Sequence, residues 1–163
     1  MKKINYRLIQ KKDDPTLAVL IRKVFREFQA HHHSGTIYQD PTTDHLNELF
    51  RMERSRLWVA TVNEEVVGSC GIYPTQGLPK DCAELVKFYV DSASRGLGIG
   101  KKLFTISVNT AAELGYKKIY LESLPEFGAA VKMYEALGFE HLSKPLGNSG
   151  HFGCTIWMVK ELS

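Results

Sequence analysis

The chain has 163 residues, 44% of them hydrophobic and 24% charged, with a formal net charge of +3 and a pI of about 8.7. This composition is typical of one globular domain, and the net charge is too small to indicate a nucleic-acid-binding protein, which usually carries a clustered basic face. Because no run of 18 apolar residues occurs, the sequence predicts no membrane-spanning segment.

The first half of the chain predicts one strand, two helices and a hairpin. Residues 1–14 carry positive charges without a following apolar segment, so they do not resemble a signal peptide and we expect a cytoplasmic protein. Asp14 followed by Pro15 is typical of a helix N-terminus, and apolar residues then recur at helical spacing to about Ala30. The predicted elements are a strand at 4–9, helices at 14–30 and 42–54, and hairpin strands at 56–62 and 66–74.

The second half alternates strands with helices. A glycine ends each of the two helices predicted here, at Gly115 and at Gly138. The predicted elements are strands at 83–90, 116–123 and 154–162 and helices at 101–114 and 126–137. The whole order, β-α-α-β-β-β-α-β-α-β, is interrupted by no repeat or linker and predicts a single mixed α/β domain over residues 1–163.

A glycine-rich segment flanked by cations joins the strand at 83–90 to the helix that follows. Its sequence is Arg95-Gly96-Leu97-Gly98-Ile99-Gly100-Lys101. At the start of a helix, successive backbone N–H groups and the helix dipole favour a bound phosphate. Gly98 and Gly100 have no side chain to hold an anion at a distance, and Lys101 and Lys102 add positive charge. The segment therefore predicts a phosphate-binding loop.

Two common phosphate-binding motifs do not fit the spacing of this loop. A P-loop would need a glycine in place of Arg95 and a hydroxyl residue in place of Lys102. A dinucleotide-binding fingerprint would need its third glycine at Lys101 or at Leu103, depending on where it starts. The pattern that remains is Arg-x-x-Gly-x-Gly.

This pattern, together with the downstream AAVKMYEALGF at residues 129–139, resembles the GNAT family of acetyl-CoA-dependent N-acetyltransferases. The resemblance covers essentially the whole chain and implies a single-domain α/β fold with a mixed, mostly antiparallel sheet flanked by helices. It implies that residues 95–101 bind the pyrophosphate of coenzyme A and that Phe88, Tyr89 and Val90 pair with its pantetheine arm. The implied activity is direct acetyl transfer from acetyl-CoA to a primary amine, with no metal.

The resemblance also implies catalytic residues. Tyr134 holds the position of the family's usual general acid, which protonates the leaving thiolate. Glu122, near the end of a strand, and Glu84, at the start of one, are candidates for the general base, and the strand end places Glu122 slightly ahead. Backbone N–H groups of residues 88–90 would stabilise the oxyanion. Phe127 stands where the family often has asparagine, so a hydrogen bond to the pantetheine arm is expected to be missing.

Two other classes of function stay open at this point. The same scaffold could act as a non-catalytic coenzyme A binder or sensor, although the intact Tyr134 favours an enzyme. Histidines 31–33, 45 and 151 could form a metal-binding module, but consecutive histidines on a loop rarely converge on one ion, and no Cys/His spacing matches a zinc site. Cys70, Cys82 and Cys154 are predicted to be reduced thiols.

The acceptor is not identified by any motif. A small-molecule or peptide amine is expected, with neither nucleic acid nor membrane as a partner. The segment 31–38 connects the two early helices, so it is expected to flank the acceptor cleft. His151, in a glycine-rich loop, is either an acceptor-site group or an ordinary loop residue. The oligomeric state is open, a homodimer included.

Overall fold

Seven strands form one continuous sheet. The computed structural model describes residues 1–162. The strands are β1 (Ile4–Leu8), β2 (Arg56–Val62), β3 (Glu65–Tyr73), β4 (Cys82–Val90), β5 (Lys118–Ser123), β6 (Glu140–Leu142) and β7 (Ile156–Glu161). Their order across the sheet is β1-β2-β3-β4-β5-β7-β6, and every neighbouring pair is antiparallel except β4 and β5. The predicted mixed, mostly antiparallel sheet is confirmed.

Helices cover both faces of the sheet. They are α1 (Asp14–Glu27), α2 (Leu46–Leu49), α3 (Ile99–Glu113) and α4 (Gly128–Ala136). Side chains of α1, among them Leu17 and Phe25, pack in one buried cluster, whereas Leu103 of α3 and Tyr134 of α4 pack in another. Successive strand residues point to opposite faces and so supply both clusters. Within residues 1–162, no helix has the length and apolarity needed to cross a membrane.

Two predictions about individual elements were wrong. The second helix, predicted over 42–54, is limited to the four residues of α2, preceded by a 3-10 turn at Pro41–Asp44. Asp40 accepts a hydrogen bond from the Thr42 N–H and so favours the turn, and His45, at φ −134°, interrupts helical geometry. The strand β6 was not predicted because its three mostly exposed residues carry no apolar alternation.

The parallel strands β4 and β5 separate partway along their length. They pair only between residues 82–84 and 118–120. Farther along β4, Lys87 and Phe88 together lie opposite the single residue Cys70 of β3. This pairing of two residues with one is a β-bulge. A bulge bends its strand and increases the local twist. The far half of β4 therefore diverges from β5, and a cleft opens between them.

Candidate active site

A cavity of about 580 Å³ occupies the cleft between β4 and β5. Side chains of α1 and α4 close two of its sides, and Glu84 and Glu122 lie on the two diverging strands. Of the site residues predicted from the sequence, all except Leu97 line it. Leu97 is 40% exposed and belongs to the loop without facing the cavity. The lining residues predicted from the sequence are Glu84, Phe88, Tyr89, Val90, Arg95, Gly96, Gly98, Ile99, Gly100, Lys101, Glu122 and Tyr134.

The glycine-rich loop presents unpaired backbone donors at the start of α3. No hydrogen bond within the described part of the chain uses the N–H groups of residues 96–101, whereas Lys102 N–H already bonds to Gly98 O. Gly96 and Gly98 adopt φ of +85° and +77°, and a Cβ added to either would meet no atom within 4 Å. Six successive N–H groups at a helix N-terminus thus have no partner within the described chain, and the space beside Gly96 and Gly98 is open, which suits a phosphate group.

Arg95 fixes this loop in place through three donors. Its Nε donates to Val90 O at 3.1 Å, and its two terminal nitrogens donate to the Glu27 carboxylate at 2.5 and 2.9 Å. The guanidinium also lies over the Phe28 ring, 5.2 Å from its centroid. In this arrangement Arg95 ties the loop to the end of β4 and to α1, and the loop backbone supplies the free donors.

The far half of β4 offers its backbone to the cavity. Beyond Glu84 it has no strand partner on the β5 side, which is the geometry of an edge that an extended ligand can pair with. The Phe88 ring packs 6.3 Å from the ring of Tyr134, and the Tyr89 ring packs 5.8 Å from that of Phe25. The two aromatic residues therefore anchor this edge to opposite faces of the sheet.

The two candidate bases have different surroundings. Glu84 is buried and accepts one hydrogen bond at Oε1, from Thr75 Oγ1 at 2.6 Å. Burial, and secondarily the charge of Glu122, raises the pKa of Glu84 to about 7. Glu122 accepts from Tyr120 OH at 2.6 Å and from Ser149 Oγ at 2.5 Å, so both of its oxygens are engaged. Glu84 therefore keeps one oxygen without a hydrogen-bond partner among residues 1–162, whereas Glu122 does not.

Tyr134 places a phenol in the wall of the cavity. Its ring packs against Phe88 and Phe139, with centroids 6.3 and 5.6 Å away. Burial raises the pKa of Tyr134 well above its ordinary value, which keeps the phenol protonated. No hydrogen bond among residues 1–162 involves its hydroxyl, so the proton is free for a group in the cavity. Ala130, one turn earlier on α4, also lines the cavity, as expected for a pair four residues apart.

Sequence reasoning missed several residues of this cavity, two polar ones among them, and left His151 undecided. Lys87 and Cys154 line it without having been predicted, and His151 also lines it. His151 Nε2 lies 2.7 Å from Asp40 Oδ2. The location of Lys87 depends on the β-bulge, for which the sequence gives no signal. By contrast, His33 does not line the cavity, and its Nε2 lies 2.5 Å from Glu126 Oε2.

Comparisons with known proteins agree with this geometry. Residues 20–139 match the sequence profile described as the acetyltransferase (GNAT) family. A protein of Escherichia coli K12 named "Uncharacterized N-acetyltransferase YjgM" is 38% identical over 150 residues, which cover 92% of this chain and 90% of that protein.

Solved structures share the fold. An acetyltransferase of the GNAT family from Staphylococcus aureus Mu50 superposes with a TM-score of 0.83 at 22% identity, covering 99% of this chain and 100% of that one. The acetyltransferase yncA from Salmonella typhimurium, solved with its cofactor acetyl-CoA, superposes with a TM-score of 0.74 at 18% identity, covering 99% and 95%.

Glu84 should make the free energy of unfolding depend on pH. The folded protein holds the Glu84 proton up to a pKa of about 7, whereas glutamate in an unfolded chain releases it near 4.5. The contribution of Glu84 to the free energy of unfolding is therefore fully present below pH 4.5, and it is lost as the pH rises to about 7. Glu84→Gln has no proton to lose, so the unfolding free energy of wild type relative to the variant should fall by about 3 kcal/mol across that window.

Urea unfolding of wild type and Glu84→Gln at several pH values between about 4.5 and 8 measures this difference, with about 1.4 kcal/mol per pKa unit as the scale. A difference that stays constant across the window would contradict the raised pKa.

Proposed function

We propose that this chain, which belongs to the acetyltransferase (GNAT) family and is an N-acetyltransferase, transfers acetyl groups directly from acetyl-CoA to a primary amine of a small acceptor. The observation that carries the proposal is one continuous cavity that joins the glycine-rich loop, lined by Gly96 and residues 98–101, to Glu84 and Tyr134. An anion site, a proton acceptor and a proton donor are the parts that acetyl transfer to an amine needs.

Residues 88–101 hold acetyl-CoA in this proposal. The N–H groups of residues 96–101 and the Lys101 ammonium bind the pyrophosphate, because a helix N-terminus with open glycines lets its oxygens approach closely. The free edge of β4 at Phe88, Tyr89 and Val90 pairs with the pantetheine arm. The acetyl-CoA bound in the Salmonella acetyltransferase of the same fold supports acetyl-CoA as the ligand.

Glu84 and Tyr134 divide the proton transfers. Glu84, with a pKa of about 7, is partly ionised at neutral pH and takes a proton from the acceptor ammonium. The amine nitrogen then attacks the thioester carbonyl, whose developing charge is met by backbone N–H groups of residues 88–90. As the carbon–nitrogen bond forms and the carbon–sulfur bond breaks, Tyr134 gives its proton to the thiolate. The second nitrogen proton returns to the phenol through solvent.

Several expectations from the sequence stay predictions. They are a cytoplasmic location, a homodimer and a small-molecule or peptide acceptor.

Gly98→Glu should abolish coenzyme A binding. Gly98 is the N-cap of α3 and faces open space, so a glutamate side chain there would fill the anion site with a like charge. Gly115→Glu is the matched control, because Gly115 also has positive φ (+89°) but lies outside the cavity lining. Calorimetry should show coenzyme A binding for wild type and the control only. Equal binding by all three proteins would remove the loop from the cofactor site.

Tyr134→Phe should lower kcat while leaving coenzyme A affinity and melting temperature near those of wild type. The variant keeps the packed ring and removes a hydroxyl that bonds to none of residues 1–162. Loss of a general acid typically slows a reaction by about 100- to 10,000-fold, and rescue by water sets the expected minimum at roughly tenfold. Thiol release from acetyl-CoA, in an assay where chemistry limits the rate, measures the effect. An unchanged kcat would exclude Tyr134 as the acid.

A further inference from the structure

Lys87 is a buried cation without an anionic partner. Its side chain is 4% exposed, yet no carboxylate within residues 1–162 lies within 4.0 Å of its ammonium, and no hydrogen bond of that nitrogen is present. In the described part of the chain, the fully enclosed side-chain atoms without a partner are His31 Nδ1 and Glu126 Oε1. The Lys87 nitrogen is not one of these atoms although it has no partner, so it retains some solvent-accessible surface. Because the residue lines the main cavity, that surface faces the cavity.

The β-bulge holds Lys87 in this position. Its φ of +56° is uncommon for a residue with a side chain, and Ser69 Oγ donates to its carbonyl at 2.6 Å. Without the bulge, strict alternation along β4 would place position 87 on the same face as Leu85, which packs in the cluster beneath α3 and α4. The backbone thus directs a lysine into the cavity at a local conformational cost, a feature that often marks a functional site.

The nearest acidic groups already have other partners. Asp40 accepts from Thr42 and lies 2.7 Å from His151 Nε2, and Glu84 accepts from Thr75. Asp40 and Glu84, the two carboxylates whose charges act on Lys87, stay beyond the ion-pair distance of 4.0 Å from its ammonium. A buried charge left unpaired is unfavourable, and burial accordingly lowers the pKa of Lys87. An anion bound in the cavity would compensate the charge and hold Lys87 as an ammonium.

We infer that Lys87 pairs with a carboxylate of the acceptor, so that the substrate is a small amino acid or a similar molecule carrying both an amine and a carboxylate. The inference rests on the proposed acetyl transfer. Lys87 directly precedes the strand edge proposed for the pantetheine arm, and Glu84 lies three residues before it on the same strand. One side of the cavity therefore offers a cation for the carboxylate and a carboxylate for the ammonium of one zwitterion. A charge-assisted bond of this kind is among the stronger polar contacts.

A competing role for Lys87 is stabilisation of the thioester oxygen during transfer. The two roles differ in what a substitution changes. A group that holds the acceptor carboxylate affects acids and leaves their esters unaffected. A group that holds the thioester oxygen affects every acceptor alike, through kcat.

The test compares acids with their methyl esters. Thiol release from acetyl-CoA is measured with the common α-amino acids, β-alanine and γ-aminobutyrate, each beside its methyl ester. The proteins are wild type, Lys87→Met, which keeps an unbranched side chain without the charge, and Lys117→Met, an exposed lysine outside the cavity lining. Wild type and Lys117→Met should prefer at least one acid over its ester by about 30-fold or more in kcat/KM.

Lys87→Met should lose this preference because its KM for the acid rises. Its kcat/KM for the ester, its coenzyme A affinity and its melting temperature should equal or exceed those of wild type. Equal loss of kcat for acid and ester would assign Lys87 to the thioester instead and overturn the inference. A wild type that acetylates only esters or carboxylate-free amines, or no acid at all, would also overturn it, whether or not the variant folds. Failure of the proposed function is distinct, because coenzyme A would then not bind or no amine would release thiol.

Discussion

The separation of β4 from β5 is the constraint on which the rest of the site depends. The strands stop pairing after Glu84, and the bulge at Lys87 turns β4 away from its neighbour. Had the parallel ladder continued, the backbone of β4 would be paired on both sides, and the sheet would leave no space for a ligand. The divergence instead exposes a strand edge and creates a cavity that α1 and α4 close on opposite faces.

Burial within that cleft raises the pKa of two groups to which the proposed mechanism gives a role, Glu84 and Tyr134. Burial of the two side chains holds the pKa of Glu84 near 7 and keeps the Tyr134 phenol protonated. At the mouth, the free N–H groups of residues 96–101 supply positive potential without a side-chain charge. Arg95 holds them in place through Glu27 and Val90. In the proposed mechanism, one end of the cavity therefore binds an anion and the other end transfers protons.

The sequence predicted those parts of the molecule that follow from local pattern. Strand β2 spans the predicted 56–62, and the spacing of Gly96, Gly98 and Gly100 predicted a loop at a helix N-terminus, where the structure has free N–H groups and positive φ at Gly96 and Gly98. What it could not predict depends on tertiary contacts. The proposed choice of Glu84 over Glu122 as base rests on Tyr120 and Ser149, which approach Glu122 only in the fold. Lys87 enters the cavity through a bulge that no residue type encodes.

Hydrogen–deuterium exchange with and without coenzyme A tests the central claim most directly, because it reports on the backbone donors themselves. The amides of residues 96–101 make no hydrogen bond within the described chain, so they should exchange rapidly in the free protein. Coenzyme A should slow exchange of these amides and of residues 88–90, while the paired segment 82–84 changes little. Protection that appears elsewhere, with 96–101 still exchanging rapidly, would contradict the proposed cofactor site.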